Sequence, residues 1–261
     1  MHWILQSDFF NAGAFACLVE TLERFDLPHS IHRVMPRTGA LEPDIAPDAA
    51  SVICLGTYSL RLTAQARGWR PGLFDLGPFG FPEQLAHWGE HMLNAGARLA
   101  PVREVVLERP SFVRPIEDNK AFAGRIFDVD DFREWQARVS GGAVPGIFLN
   151  GDLVVQVCPV RAIYAEYRFW IVKGRIVCAS VYKRGDVVLY SDEVPSEGFV
   201  FVEAMLGIWQ PHDAFVIDIC AVPDGVEGQA FKIVEINTLN CSAFYAADIQ
   251  KLVMALEAAF G

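Results

Sequence analysis

Two apolar, β-branched runs near the C-terminus, FVIDICAV at 215–222 and AFKIVEIN at 230–237, are separated only by the turn-rich stretch PDGVEGQ, and together they read as a β-hairpin. This hairpin restricts the chain more than any other stretch, because it sets acidic side chains into strands whose composition is otherwise that of a core. If the pairing axis lies between Val226 and Glu227, Asp218 sits directly opposite Glu235. Two like charges facing each other on an apolar sheet are destabilising unless something positive lies between them. Asn237 follows on the same face, roughly 7 Å further along at about 3.4 Å per residue. Oxygen donors of this kind suit magnesium, which takes one or two carboxylates and completes its shell with water and substrate phosphates. Asp218, Glu235 and Asn237 are therefore the expected metal ligands, and a nucleoside triphosphate is the expected substrate.

The rest of the chain is composed to fold. Over 261 residues it is 52% hydrophobic, enough for one large or two to three small α/β units. The net charge of -10, from 22 Lys plus Arg against 32 Asp plus Glu, argues against a general binder of nucleic-acid backbone. Six cysteines without metal or CxxC spacing read as free thiols of a reducing compartment. The start MHWILQSDFF has no basic segment followed by a long apolar one, and no run of 18 apolar residues occurs. Neither secretion nor a membrane span is expected, and the cytoplasm is the expected location.

Periodicity lays out the elements. The strand WILQS at 3–7 is followed by a helix with Phe15, Leu18, Val19, Leu22 and Phe25 on one face, then by the strand SVICLGTY at 51–58 and a helix from Ser59 to near Gly68. These form a small open α/β unit. A loop over 71–82, a helix over 82–96, strands at 102–107 and 111–114, and a helix at 129–138 come next. From Leu153 strands dominate until a helix within YAADIQKLVMALEAAF closes the chain. Lys173 and Gly174 form the turn of a second hairpin, YRFWIVKGRIVCASVY, with Arg168 toward its open end together with Tyr182 and Lys183. Arg114 and Lys120 lie on a strand and an acidic loop at 111–127. An arginine fork and a lysine point charge can jointly neutralise a triphosphate. Neither a P-loop nor a GxGxxG fingerprint is present.

Taken in chain order, these pieces resemble the ATP-grasp superfamily, and within it the clade named for two arginines and a lysine. FVRP resembles the first phosphate-facing strand, with Arg114 and then Lys120 as its cations. VVQVCPVR at 154–161 resembles the hinge against which adenine lies, with Gln156 and Val157 offering backbone hydrogen bonds. AEYRFWIVKGRIVCASVYKRG at 165–185 is similar to the Glu-x-Arg strand pair, and VIDICAV, VEIN and NCSAFYAADI complete the pattern.

The resemblance implies an α/β (α+β) chain with the ATP-grasp fold: two α+β subdomains clamping ATP, at 106–155 and 156–261, preceded by a small open-sheet α/β domain at 1–105. It implies Glu166 near the nucleotide, Arg168 and Lys183 as catalytic cations, and ATP with two magnesium ions as cofactors. The phosphate flap is left open between AFAG at 121–124 and SGGAVPG at 140–146. The implied activity is ATP-dependent ligation of a carboxylate to an amine or other nucleophile through an acyl phosphate, on a small molecule or peptide. An ATP-dependent phosphotransferase and a non-catalytic ATP binder are the alternatives.

Overall fold

β1 (His2–Gln6) alternates as a doubly covered strand must, with Trp3 and Leu5 on one face, Ile4 on the other, and all three fully buried. The computed structural model describes residues 1–45, 47–116, 122–141, 149–226 and 228–261. After β1 come α1 (Ala12–Arg24), β2 (His29–Val34), β3 (Leu41–Glu42), β4 (Val52–Leu55), α2 (Leu60–Arg67) and β5 (Pro71–Gly72). The strands form a five-stranded sheet in the order β3-β2-β1-β4-β5, in which β1 pairs in parallel with β2 and β4. The alternation of strand and helix expected at the start of the chain is thus present. The Asn11 side chain caps α1 by accepting from the Ala14 N–H at 2.9 Å, and Gly68 closes α2 in the left-handed conformation, φ 67°. Ser59 precedes α2 without capping it, because its hydroxyl bonds that of Thr57 at 2.7 Å.

The chain divides into two compact units, one of Met1–Pro78, Tyr164–Ala221 and Ile233–Gly261, the other of Phe79–Ile163 and Val222–Lys232. The second unit holds α3 (Phe81–Trp88) and a four-stranded sheet of β6 (Arg98–Pro101), β7 (Ser111–Pro115), β8 (Arg125–Phe127) and β9 (Val154–Pro159), in the order β6-β9-β7-β8. Phe132, Trp135 and Val139 of α4 (Val129–Ser140) share a core with Val113, Phe127, Val155 and Val157. Two expectations are corrected here. The helix expected to reach residue 96 stops at Gly89, whose φ of 48° turns the chain. Residues 102–104 form a 3-10 turn rather than the start of a strand, and the strand lies just before them, as β6.

A second five-stranded sheet runs β12-β11-β10-β13-β14 and belongs to the first unit except for the hairpin end at Val222–Lys232. Its strands are β10 (Ala165–Val172), β11 (Arg175–Arg184), β12 (Val187–Ser191), β13 (Ala214–Asp224) and β14 (Gly228–Asn237), so both expected hairpins provide neighbouring strands. The β10–β11 turn has positive φ at both Lys173 and Gly174, 48° and 71°, as a two-residue hairpin of matching twist requires. Between β12 and β13 stands α5 (Ser196–Ile208), a helix not picked out within the stretch where strands were expected to dominate. Its run Phe199, Val200, Phe201, Val202 is apolar on successive residues and carries no helical stripe to read. The closing helix, α6 (Ile249–Phe260), starts at the cap Asp248, whose carboxylate accepts from the Lys251 N–H at 2.9 Å. Leu252, Val253 and Leu256 of α6 pack with Trp3, Leu5, Leu18, Leu22, Trp170 and Val216 in one core. Among the described residues, no helix is long and apolar enough to cross a membrane.

Asn240 ties this unit together. Fully buried, it accepts the Phe74 N–H at 2.9 Å and donates to the carbonyls of Cys54, at 2.7 Å, and Gly72, at 3.3 Å. Asn240→Ala orphans these main-chain groups, so it is expected to lower unfolding stability by about 2–3 kcal/mol. Urea unfolding checks this: a midpoint within error of the native chain would refute it.

Candidate functional site

β10 and β13 are central strands, and their register sets Arg168 opposite Asp218. Cross-strand partners lie close enough for side chains to meet. Here they meet as a two-point ion pair: Arg168 Nε donates to Asp218 Oδ1 at 2.8 Å and Nη2 to Oδ2 at 2.7 Å. Both residues are buried, Asp218 to 1% exposure and Arg168 to 8%. Burial pushes the Asp218 carboxyl above its ordinary range, the Arg168 guanidinium pulls it down, and the Glu235 and Glu166 carboxylates push it up again. Arg168 Nη1 also reaches the Ala243 carbonyl at 3.4 Å.

The remaining members surround this pair. Asn237 Nδ2 donates to Asp218 Oδ2 at 3.1 Å and to Glu235 Oε1 at 3.2 Å, so one amide bridges the two carboxylates. Glu166 accepts from the Tyr182 hydroxyl at 2.9 Å and pairs with Lys183 Nζ at 3.1 Å. Burial and the Asp218 and Glu166 carboxylates hold the Tyr182 phenol far above its ordinary range, so it stays a donor. The Tyr245 ring stacks on those of Tyr182 and Tyr190, at 5.1 and 5.0 Å, and the Arg168 guanidinium carbon lies 4.8 Å from its centre. The structure thus brings Glu166, Arg168, Lys183, Asp218, Glu235 and Asn237 into one cluster.

Three carboxylates against two cations leave this cluster net negative. A hard cation fits such a donor set, and the bridging amide N–H occupies the position between the carboxylates where positive charge is needed. Turning that amide over presents its oxygen to an ion instead. Asp218 would be shared with Arg168, which leaves the less buried Glu235 as the more accessible carboxylate. Among the described residues no group of three or more His, Cys, Asp or Glu could hold a metal, so any ion here depends on the amide and on donors from its ligand.

The other expected residues lie in the four-stranded sheet of the second unit. Arg114 on β7 pairs in register with Gln156 on β9, so the two share a face. β9 runs between β6 and β7, so its main chain at Gln156 and Val157 is turned to ladder partners. The Val157 side chain packs in the core against α4. Gln156 is 2% exposed, and among the described residues its side-chain oxygen has no hydrogen-bond partner. Lys120 lies outside the described residues, as do Ala121 and residues 142–146 of the two flap segments.

Sequence reading missed the Arg168–Asp218 pair, Tyr182 as the partner of Glu166, and Tyr245. The first had a signal: each charge stands alone in an apolar central strand, and a buried charge needs a partner. Tyr245 had none, since its placement rests on an irregular segment and a φ of 51°.

A family model matches residues 36–256; it describes an ATP-grasp domain, family 3 of the clade named for two arginines and a lysine. Among solved structures, D-alanine–D-alanine ligase from Bacillus anthracis complexed with ATP matches with a TM-score of 0.64 at 12% identity, over 99% of this chain and 97% of that one. The ATP-grasp ligase PsnB complexed with minimal precursor gives 0.57 at 14% identity, over 99% and 98%. The D-cycloserine synthetase DcsG gives 0.57 at 12% identity, over 99% of both chains. No curated protein matches the chain. At these identities the structural likenesses establish the fold, which is α+β and of the ATP-grasp type.

Proposed function

The chain belongs to the ATP-grasp domain proteins of the two-arginine, one-lysine clade, and from that premise we propose that it is an ATP- and magnesium-dependent ligase joining a carboxylate to an amine or another nucleophile. The observation that carries this reading is the cluster around Arg168 and Asp218, where two carboxylates bridged by one amide stand with fixed cations. A carboxylate substrate attacks the γ-phosphorus of ATP, giving an acyl phosphate and ADP, and the acceptor then displaces phosphate. Asp218, Glu235 and Asn237 would hold magnesium, which would supply positive charge toward the phosphates. Arg168 holds its charge in one place because Asp218 fixes two of its nitrogens. Lys183 is oriented by Glu166 and is partly exposed, suited to meet charge as the transferred group loosens. Taken by itself, the second unit offers the Gln156 oxygen, which has no partner among the described residues and suits an amine donor such as that of adenine, and Arg114, its register partner, which suits phosphate. That reading sets the side chain of Gln156, rather than its main chain, against the nucleotide.

We retain residues 1–105, 106–155 and 156–261 as the proposed functional segments, with Lys120 as a further phosphate cation. The names of the solved neighbours, ligases among them, support the reaction class.

Hydroxylamine trapping tests the reading. With ATP, magnesium, hydroxylamine and a pool of amino acids and short peptides, hydroxamate and ADP are expected in equal amounts. ADP with a phosphorylated acceptor and no hydroxamate would make the chain a phosphotransferase. A rise in melting temperature with ATP, without ADP from any pool, would make it a binder alone.

A further inference from the structure

Strand β12 presents a surface that the ligase chemistry does not use. Val187, Val188, Leu189 and Tyr190 are 66%, 64%, 42% and 54% exposed, so both faces of the strand are open. β12 is terminal in its sheet and pairs with β11 through Val181 and Ser191, Lys183 and Val188, and Arg184 and Val187. Among the described residues no strand pairs with its other side. Edge strands are ordinarily blunted by charge, proline or a bulge. VVLYS has no charge and no proline, and its one irregularity is a register shift against β11 between Val188 and Ser191. A strand apolar on both faces, with no strand against its outer edge among the described residues, is composed to be covered.

The strand is continuous with the polar cluster. The Tyr190 ring stacks on Tyr245, beside which Arg168 lies. The Ser180 hydroxyl accepts the Ala246 N–H at 3.1 Å and reaches the Ser191 carbonyl at 3.2 Å, so the end of β12 and the segment carrying Tyr245 share one anchor. Tyr245 holds its left-handed backbone, costly outside glycine, within this stack.

Charge gives the edge a polarity. The exposed Asp192 and Glu193 follow β12, with Glu197 close behind in α5, whereas at its start the exposed Arg184, opposite Val187, is offset by the exposed Asp186. A chain added antiparallel to β12 begins beside the three carboxylates, which matches an ammonium start and keeps its carboxylate end away from them. We propose that the outer edge of β12 binds the acceptor as an extended apolar peptide, added antiparallel, with its amino-terminal end at Asp192 and Glu193 and a side chain against Tyr190. The acceptor role rests on the ligase reading, while peptide binding at the edge does not.

The probe is a synthetic hexapeptide with free termini, alternating valine and threonine with one central tyrosine, added to the full chain. Hydrogen exchange at alternate amides of Val187–Ser191 is expected to slow at least about tenfold on binding. Alternate N-methylation of the peptide is expected to abolish the effect and N-terminal acetylation to weaken it. Leu189→Lys is expected to weaken the peptide at least about tenfold while leaving the melting shift with an ATP analogue unchanged. The N-methylated peptide carries the test if that variant folds poorly. Unchanged exchange in β12, or equal binding by the N-methylated peptide, overturns the proposal. So does light scattering that gives a dimer with β12 protected before peptide is added, which makes a second copy the occupant. Protection by the peptide without any ATP-dependent melting shift removes the acceptor role through the ligase reading and leaves a peptide-binding edge.

Discussion

Asp218→Ala is expected to destabilise the fold by about 3–5 kcal/mol, because it leaves the Arg168 guanidinium buried without its counter-charge. The Arg168 side chain is only 10% exposed and both of its short contacts end on Asp218. Rearrangement toward water is blocked by the stacked rings of Tyr182 and Tyr245, and the Ala243 carbonyl at 3.4 Å is a weak substitute for a carboxylate. The double variant Arg168→Met with Asp218→Leu supplies the contrast. It removes both charges at similar volume, so it is expected to lie closer to the native chain in stability than Asp218→Ala alone. Urea unfolding of the three chains measures the difference. A loss below about 1 kcal/mol in the single variant would mean that the pair is solvated, against its observed burial. This result also limits how Asp218 can be used as a probe of chemistry, since its removal disturbs folding and site together.

The legibility of this chain in its sequence follows from where its information is local. The hairpin strands β13 and β14, the turn at Lys173 and Gly174, and α1 and α6 each carry a complete signal within a few residues. α5 does not, since its apolar residues surround the axis and only burial within the fold selects the helix. α3 ends early because one glycine takes a positive φ, a choice the surrounding leucines and tryptophan do not announce. The cluster itself was half visible. Asp218, Glu235 and Asn237 stand out as polar residues in apolar strands, yet the identity of their partners depends on register between strands 50 residues apart in the chain. Asn240 shows the same limit. Strand alternation marks Asn237, but nothing in TLNCSAF marks Asn240 as the residue that holds β4 and β5, because that role is made by long-range packing.

Glu235→Ala separates chemistry from folding where Asp218→Ala cannot. Glu235 is partly exposed, and when its carboxylate is removed Asn237 remains tied to Asp218. The fold is therefore expected to keep a native circular dichroism spectrum and a cooperative melt. ATP turnover, by contrast, is expected to fall by about 10²–10³-fold or more, since on the proposed metal assignment the variant takes away one of the two carboxylates that would hold magnesium. Glu235→Gln sharpens the reading. The amide preserves size and an oxygen acceptor for Asn237, so a comparable loss in both variants assigns the effect to the negative charge, and raising magnesium should recover part of the Gln variant's rate before it recovers the Ala variant's. Near-normal turnover in the alanine variant would refute the metal assignment. A loss of turnover accompanied by a collapsed melt would assign Glu235 to the framework instead, and the electrostatics of the cluster would then have to be carried by Asp218 alone.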